Sequence, residues 1–448
     1  MVLKAVILAG LLVVSGDASV LPRANYWHGF SKIESVFSFG DSWTRTGFET
    51  SGTQPSKNNR LGNPSYPGKT SSNGPNWIDY LTTTYNKSPF LTYNLAYSGA
   101  VVDTDIIRNN NNDLVRQVQE KFLPNYKRDK KFAASTSLFA IFMGINDVMK
   151  GDLYNKPDTL DKIFKTYSGE IAALYKAGAR NFLLLTLPPL ERAPRVTKKS
   201  DSATRIPRIA KAVSEWNKRV RSLQSSIQKN YSKSTVFVYD TYPLMMNVMN
   251  KPSSYSETKI YRDSNGYCSA YTKGTEKPDS KSSSCKYAAN QYLWLNDLHP
   301  TDPFHKLLAK DISSFLQKQN DILKRTQWTN KTLATIVAAI GVSAFYATNW
   351  TIGALIMLGP PTGVAVLWDL VEVLYLIIYT NSDGIHPNAC IIIDIILFIA
   401  VAAMSSVIAF TAATLSDSGW YFAFFQNEQG VEYLRVATGF GFMTAYVK

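Results

Sequence analysis

The chain has 448 residues, 45% of them hydrophobic, and a formal net charge of +14. The length predicts two or three folded units, and the apolar content excludes wholesale disorder. The basic excess does not point to nucleic acid, because the Lys and Arg are dispersed and no nucleic-acid motif is present. The densest run, Lys127-Arg128-Asp129-Lys130-Lys131, falls between a helical pattern and a strand, where a solvated loop belongs.

The first 20 residues have the layout of a secretory signal peptide: Lys4, then the apolar run Ala5 to Val14, then small residues with a cleavage site after Ala18. From about Ser31 to Gln319 strands alternate with helices. Apolar runs at Val36 to Gly40, Leu91 to Ala96, Ser137 to Met143, Asn181 to Leu187 and Thr235 to Tyr239 predict five strands. Helical patterns cover Pro75 to Thr84, Asp113 to Leu123, Leu160 to Ala177, Ile209 to Lys229 and Asp302 to Lys318. The alternation predicts an α/β fold with a parallel sheet covered on both faces and its chemistry at the carboxyl ends of the strands. Cys268 and Cys285 flank a polar loop and in an oxidising compartment would close a disulfide, whereas Cys390 reads as an inert thiol in an apolar stretch. Sequons at Asn86, Asn230 and Asn330 fit a luminal history.

The composition changes after a linker at about 321–332. Between Lys331 and Arg435 there is no Lys or Arg, and three apolar segments follow one another: Leu333 to Leu358, Thr362 to Tyr379 and Ala389 to Leu415. A bilayer-spanning helix needs about 20 apolar residues, so residues 333–448 predict an α-helical transmembrane region of several spans. Asp369, Glu372 and Asp394 within it would face a helix bundle or a polar cavity. Val436 to Val447 reads as the start of a fourth span. The signal peptide would put the preceding domain on the luminal or extracellular side.

Four short blocks carry chemistry. Phe39-Gly40-Asp41-Ser42 follows a strand, so Ser42 is a candidate nucleophile on an exposed turn, provided a base takes its proton. Ala96-Tyr97-Ser98-Gly99-Ala100 follows the next strand, and Gly99 offers either a tight turn or a backbone N–H to a ligand. Gly144-Ile145-Asn146-Asp147 follows the third. There Asn146 either caps the next helix or donates its amide to a developing oxyanion. Trp294-Leu295-Asn296-Asp297-Leu298-His299-Pro300 precedes the last helix of this half. Of the four histidines, His28 precedes the domain, His386 lies between apolar segments and His305 sits on a helix, which leaves His299 as the better candidate base. No His/Cys/Asp/Glu cluster has zinc spacing, no phosphate-binding glycine loop is present, and no cofactor is implied.

Together the blocks resemble the GDSL/SGNH hydrolase family, from Phe30 to Lys318. They are most similar to its fungal acetylesterase branch through Gly29-Phe30-Ser31-Lys32, Phe39-Gly40-Asp41-Ser42-Trp43-Thr44, Gly74-Pro75-Asn76-Trp77 and Leu298-His299-Pro300-Thr301. The resemblance implies a three-layer α/β/α sandwich over residues 21–320. It implies Ser42 as nucleophile, His299 as base, and the N–H groups of Ser42 and Gly99 with the Asn146 amide as oxyanion hole. The implied substrate is a small ester such as an acetylated sugar, and Trp43, Trp77 and Trp294 either line its site or pack in the core. The chain departs from the family where the triad acid should stand, three residues before the histidine. That position is Asn296, with Asp297 one residue later. Three arrangements stay open: Asn296 orienting the ring, Asp297 swinging in, or a dyad on a backbone carbonyl. The alternatives are a lipase or lysophospholipase of the same superfamily, and a membrane-anchored binding protein with an impaired site. The C-terminal part resembles four-helix membrane proteins of the MARVEL-like kind, and the abrupt composition shift gives the expectation of a fusion of two neighbouring reading frames.

Overall fold

A computed structural model of the chain describes residues 26–108, 112–127 and 132–319. By its contacts the chain falls into two units, Met1–Asn330 and Lys331–Lys448, and every described residue belongs to the first. The expected signal peptide, the basic run beyond Lys127, the linker, the sequon at Asn330, Cys390 and the apolar segments of 333–448 lie outside the described residues. Among those described, no helix is long and apolar enough to cross a membrane.

Five parallel strands form one sheet: β1 Ser35–Gly40, β2 Leu91–Asn94, β3 Ser137–Phe142, β4 Asn181–Leu185 and β5 Thr235–Tyr239, in the order β2-β1-β3-β4-β5. β1 and β3 are buried at every position, as a sheet covered on both faces requires. Their sequences, SVFSFG and SLFAIF, therefore read as continuous apolar runs. Phe37 anchors one face. Its ring stacks on Tyr93 and Phe139, with centroids 4.8 and 5.1 Å away, and meets Phe122 edge-on.

The helices start where local chemistry allows. α1, Trp77–Thr83, is capped by Asn76, whose side chain accepts from the N–H groups of Ile78 and Asp79, while the Asp79 carboxylate accepts from the Asn76 N–H. α2, Leu114–Arg116, is capped by Asp113, and from Gln117 to Lys127 the chain continues in wider π turns. The sequence predicted an ordinary helix there. Pro124 has no N–H and its ring clashes with the carbonyl four residues back, which disfavours regular α winding. α3 is Ile145–Gly151, α4 Pro157–Lys176, α5 Ser202–Asn230, α6 Thr241–Asn250 and α7 302–319.

Between α6 and α7 lies a long irregular excursion. Its own small cluster comprises Tyr271, Cys285, Ala289, Tyr292 and Leu295. The structure joins Cys268 to Cys285 by a disulfide across it. Trp43, Trp77 and Trp294 are no more than 1% exposed and pack in the core. Of the two roles the sequence left open for them, core packing is the one the structure forms: a flat indole next to a tight turn supplies the apolar area that fixes the turn in place.

Candidate active site

The ladder of β1 ends at Gly40, where a side chain has no room: a Cβ would lie 2.7 Å from the Phe142 carbonyl oxygen. The Gln117 amide closes the strand end. It accepts from the Gly40 N–H at 2.9 Å and donates to the Gly40 carbonyl at 2.8 Å. The chain then turns. Asp41 Oδ1 accepts from the Trp43 N–H at 2.9 Å, and its carbonyl accepts from the N–H groups of Thr44 and Arg45. This turn presents Ser42, which is 7% exposed.

After β2, the Ala100 N–H donates to the Tyr97 carbonyl at 3.1 Å, and Gly99 has φ +77° at the third position of the turn. A side chain is unfavourable at that φ, which explains the glycine. After β3, Gly144 has φ +119°, and a Cβ there would run into the Trp216 ring. That packing sets where α3 begins. Asn146 lies in its first turn, and the cap position is occupied by Gly144 with no side-chain cap. The Asn146 amide instead donates to the Ala100 carbonyl at 3.0 Å and to Asp41 Oδ2 at 3.3 Å. It is thereby tied to the residue after Gly99 and the residue before Ser42.

The fourth segment is a pinched loop. Leu295 N–H donates to the His299 carbonyl at 2.8 Å, and Thr301 N–H to the Leu293 carbonyl at 2.8 Å. At its tip Asn296 Oδ1 accepts from the backbone N–H groups of Leu298 and His299, both at 3.0 Å. It also stands 2.9 Å from His299 Nδ1. Two obligate donors identify that atom as the amide oxygen, so Nδ1 must carry the proton. Nε2 is then free to accept, and it lies 2.7 Å from Ser42 Oγ. An unbroken chain Ser42–His299–Asn296 results.

Asp297 is elsewhere. Its two carboxylate oxygens accept from Arg195 Nη2 at 2.8 Å and Nε at 3.0 Å. The Arg195 N–H also donates to the Asp297 carbonyl at 2.7 Å. Of the three arrangements the sequence left open, the structure forms the first, and a two-pronged ion pair holds Asp297 off the imidazole.

Burial pushes the His299 imidazole down to about 4, the nearby Arg195 charge adds to this, and Asp297 opposes it. The ring is therefore neutral and able to accept a proton across the ordinary pH range. His305 on α7 is also buried, is pushed down to about 3, and meets the edge of Trp43, the position of a structural residue. Burial raises Asp41 and Asp147 to about 7, with Asp147 adding to the shift of Asp41.

The structure thus brings together Ser42, His299, Asn296, Asn146 and the Gly99 turn, and leaves Asp297 out. Sequence reasoning missed Gln117, which closes β1 from 77 residues away, and Arg195, which reaches Asp297 across 102 residues. No short-range pattern marks either. A cavity lined by His28, Lys32, Glu34, Ser88 and Thr136 lies at the opposite, amino ends of the strands and shares no residue with this site. No group of three or more metal-ligating side chains occurs among the described residues.

The GDSL-like lipase/acylhydrolase family matches the chain over residues 36–312. An acetylesterase of Thermothelomyces thermophilus is 31% identical over 286 residues, covering 62% of this chain and 86% of that protein. A GDSL esterase/lipase of Arabidopsis thaliana is 26% identical over 40% of this chain, which spans about half of that relative, 52%. Among solved structures, an acetylxylan esterase from Geobacillus stearothermophilus is 14% identical, with a TM-score of 0.34 over 64% of this chain and 94% of its own. With a matched segment that runs from β1 into α7 and so contains the whole hydrogen-bonded site, the chain belongs to the GDSL-like lipase/acylhydrolase family and is a carboxylic ester hydrolase.

Proposed function

We propose that the enzyme deacylates small esters, chiefly acetyl esters of carbohydrates or similar alcohols, through an acyl-serine intermediate. The hydrogen-bonded chain Ser42–His299–Asn296 carries this reading. His299 Nε2 takes the Ser42 proton as Oγ attacks the ester carbonyl. The charge that forms on the carbonyl oxygen meets the N–H groups of Ser42 and Gly99 and the Asn146 amide hydrogen that exchanges its longer bond, the 3.3 Å one to Asp41 Oδ2, for the oxyanion. His299 returns the proton to the leaving alcohol, then activates the water that frees the acid and regenerates Ser42. Asn296 keeps the ring in the tautomer these steps need. The 31% identity to an acetylesterase favours a short acyl group.

The test is hydrolysis of acyl esters of increasing chain length by the full chain beside its Ser42→Ala variant. Turnover of the acetyl ester that collapses in Ser42→Ala and falls off with chain length supports the proposal. A preference for long acyl chains would transfer it to the lipase or lysophospholipase reading. A folded protein with no turnover at any length would leave the binding-protein reading.

We further propose that the enzyme acts on the luminal or extracellular side of a membrane. The signal-peptide pattern, the disulfide and the apolar segments after Lys331 support this, as does the resemblance of that region to MARVEL-like proteins. Of the described sequons, Asn230 is exposed at the end of α5, whereas the Asn86 amide donates to the Thr82 carbonyl and the Ser88 hydroxyl to the Ile33 carbonyl. Asn230 is therefore the favoured glycan acceptor. A mobility shift on deglycosylation, lost in Asn230→Gln, tests both the compartment and the site.

A further inference from the structure

The charges that act on His299 are one cation, Arg195, from outside the four sequence blocks, and one carboxylate, Asp297, from the same block as the imidazole. Arg195 sits in a single helical turn, Pro194–Thr197, that follows β4. It grips Asp297 through two side-chain bonds and one backbone bond. The side chains are 37% and 35% exposed, so solvent screens the pair and its worth to stability is small. Its geometric effect is large by comparison. Asp297 is flanked by Asn296 and Leu298, and a rotation of this loop would bring its carboxylate toward the imidazole. The other groups that face His299 are neutral partners, Ser42 and Asn296, and His305 on α7, which burial holds uncharged. Asp302, at the start of α7, is engaged with the Tyr80 hydroxyl.

We propose that Arg195 is a positioning residue of the hydrolytic site: its fork holds Asp297 away from His299, so that the neutral amide of Asn296, and no carboxylate, partners Nδ1. This rests on the reading of Ser42 and His299 as nucleophile and base. The consequence is a base that stays unprotonated in acid. An aspartate partner would stabilise the imidazolium and raise the pH at which the ring charges. Arg195 acts in the opposite sense twice, by its own charge and by occupying the one carboxylate at hand.

The experiment is a pair of substitutions in the full chain with opposite expected signs. Arg195→Gln removes the cation and frees Asp297, so the acid limb of kcat/KM moves up by about one pH unit or more. Asp297→Asn removes the carboxylate that raises His299 and leaves Arg195 unpaired, so the limb moves down. The His299 imidazole signals are titrated by NMR in the same proteins, a reading that needs no turnover and is simple with four histidines in the chain. Limbs and titrations that move in these directions support the proposal. Equal losses of kcat in both variants with an unmoved His299 titration would overturn it and make the pair a structural tie. Should the unaltered chain hydrolyse nothing, the ester-hydrolysis reading fails while the titration still decides the role of Arg195. If Arg195→Gln does not fold, Asp297→Asn and Arg195→Lys, which keeps the charge without the two-pronged geometry, decide it instead.

Discussion

The amide oxygen of Asn296 accepts three N–H groups, two of them from the backbone, and this number determines what the side chain can do. It supplies orientation without charge. Asn296→Ala removes the acceptor that selects the His299 tautomer, and kcat falls by about a hundredfold or more, approaching the ten-thousandfold seen when a triad ring is held in the wrong form. Asn296→Asp keeps the geometry and adds charge, so the imidazole, now near 4, titrates higher and the acid limb of kcat/KM moves up with it. An unmoved limb would show that residue 296 does not reach the base. Asn146→Ala removes one donor from the developing oxyanion and costs about 3–4 kcal/mol in the activation barrier, read as a fall in kcat at nearly constant KM. At this scale the sequence was informative wherever a residue's neighbours in the chain are also its neighbours in space. Ser42 and Gly99 stand on the turns that follow β1 and β2, and His299 stands before a helix. The choice between Asn296 and Asp297 was not legible, because Arg195 makes it from a distant loop.

Strands placed these residues, and the strands were the most legible elements. A parallel strand buried on both faces is an uninterrupted apolar run, and all five were predicted within about two residues of their ends. Helices were harder. α5 begins at Ser202, before the first clear apolar period, and runs through Pro207. α6 was not anticipated, since a short stretch such as YPLMMNVM has no polar face to reveal its period. The π turns after Gln117 depend on Pro124 and on the tie of Gln117 to Gly40, and only the first is visible in the sequence. Gly144 is the element-scale hinge of the site. Gly144→Ala must accommodate a positive φ and displace the Trp216 indole, so it should destabilise the fold by about 1–3 kcal/mol and lower kcat by misplacing Asn146. Thermal melting together with kinetics checks both effects, and a variant with native stability and native kcat would remove α3 from the argument. In the irregular excursion the disulfide closes a loop between residues 17 positions apart, and Cys285→Ser should cost about 3 kcal/mol in chemical denaturation.

Over the whole described domain, buried ionisable groups tilt stability toward acid. Burial raises Asp41 and Asp147 from 3.8 to about 7 and Asp79 to about 8, so these carboxyls are protonated in the fold at a pH where the unfolded chain has ionised them. Their contribution is complete below 3.8 and is lost as the pH rises through 7 to 8. His299 and His305 have the opposite sign. Buried and neutral, they are lowered from 6.5 to about 4 and about 3, and cost stability as the pH falls below 6.5. Asp302, raised by burial to about 6, acts in the same sense, so between about 4 and 6.5 four carboxyls outnumber the two imidazoles, and above 6.5 Asp41, Asp147 and Asp79 carry the trend. The melting temperature should therefore be higher at pH 5 than at pH 8, and a melting temperature that rises across that interval would contradict the assignment.

Ser42 and His299 are 257 positions apart, although their side chains meet at 2.7 Å. A ribosome making this chain exposes the hydroxyl early and the imidazole last, roughly 13–50 seconds later at ordinary synthesis rates. Throughout that interval the serine has no base and the nascent chain can cleave nothing. Stalled chains that end before His299 should be inert toward esters, and turnover should begin only once α7 has emerged. The enzyme is thus silent until its catalytic half has been made, and the compartment that receives the completed domain is the first to meet its chemistry.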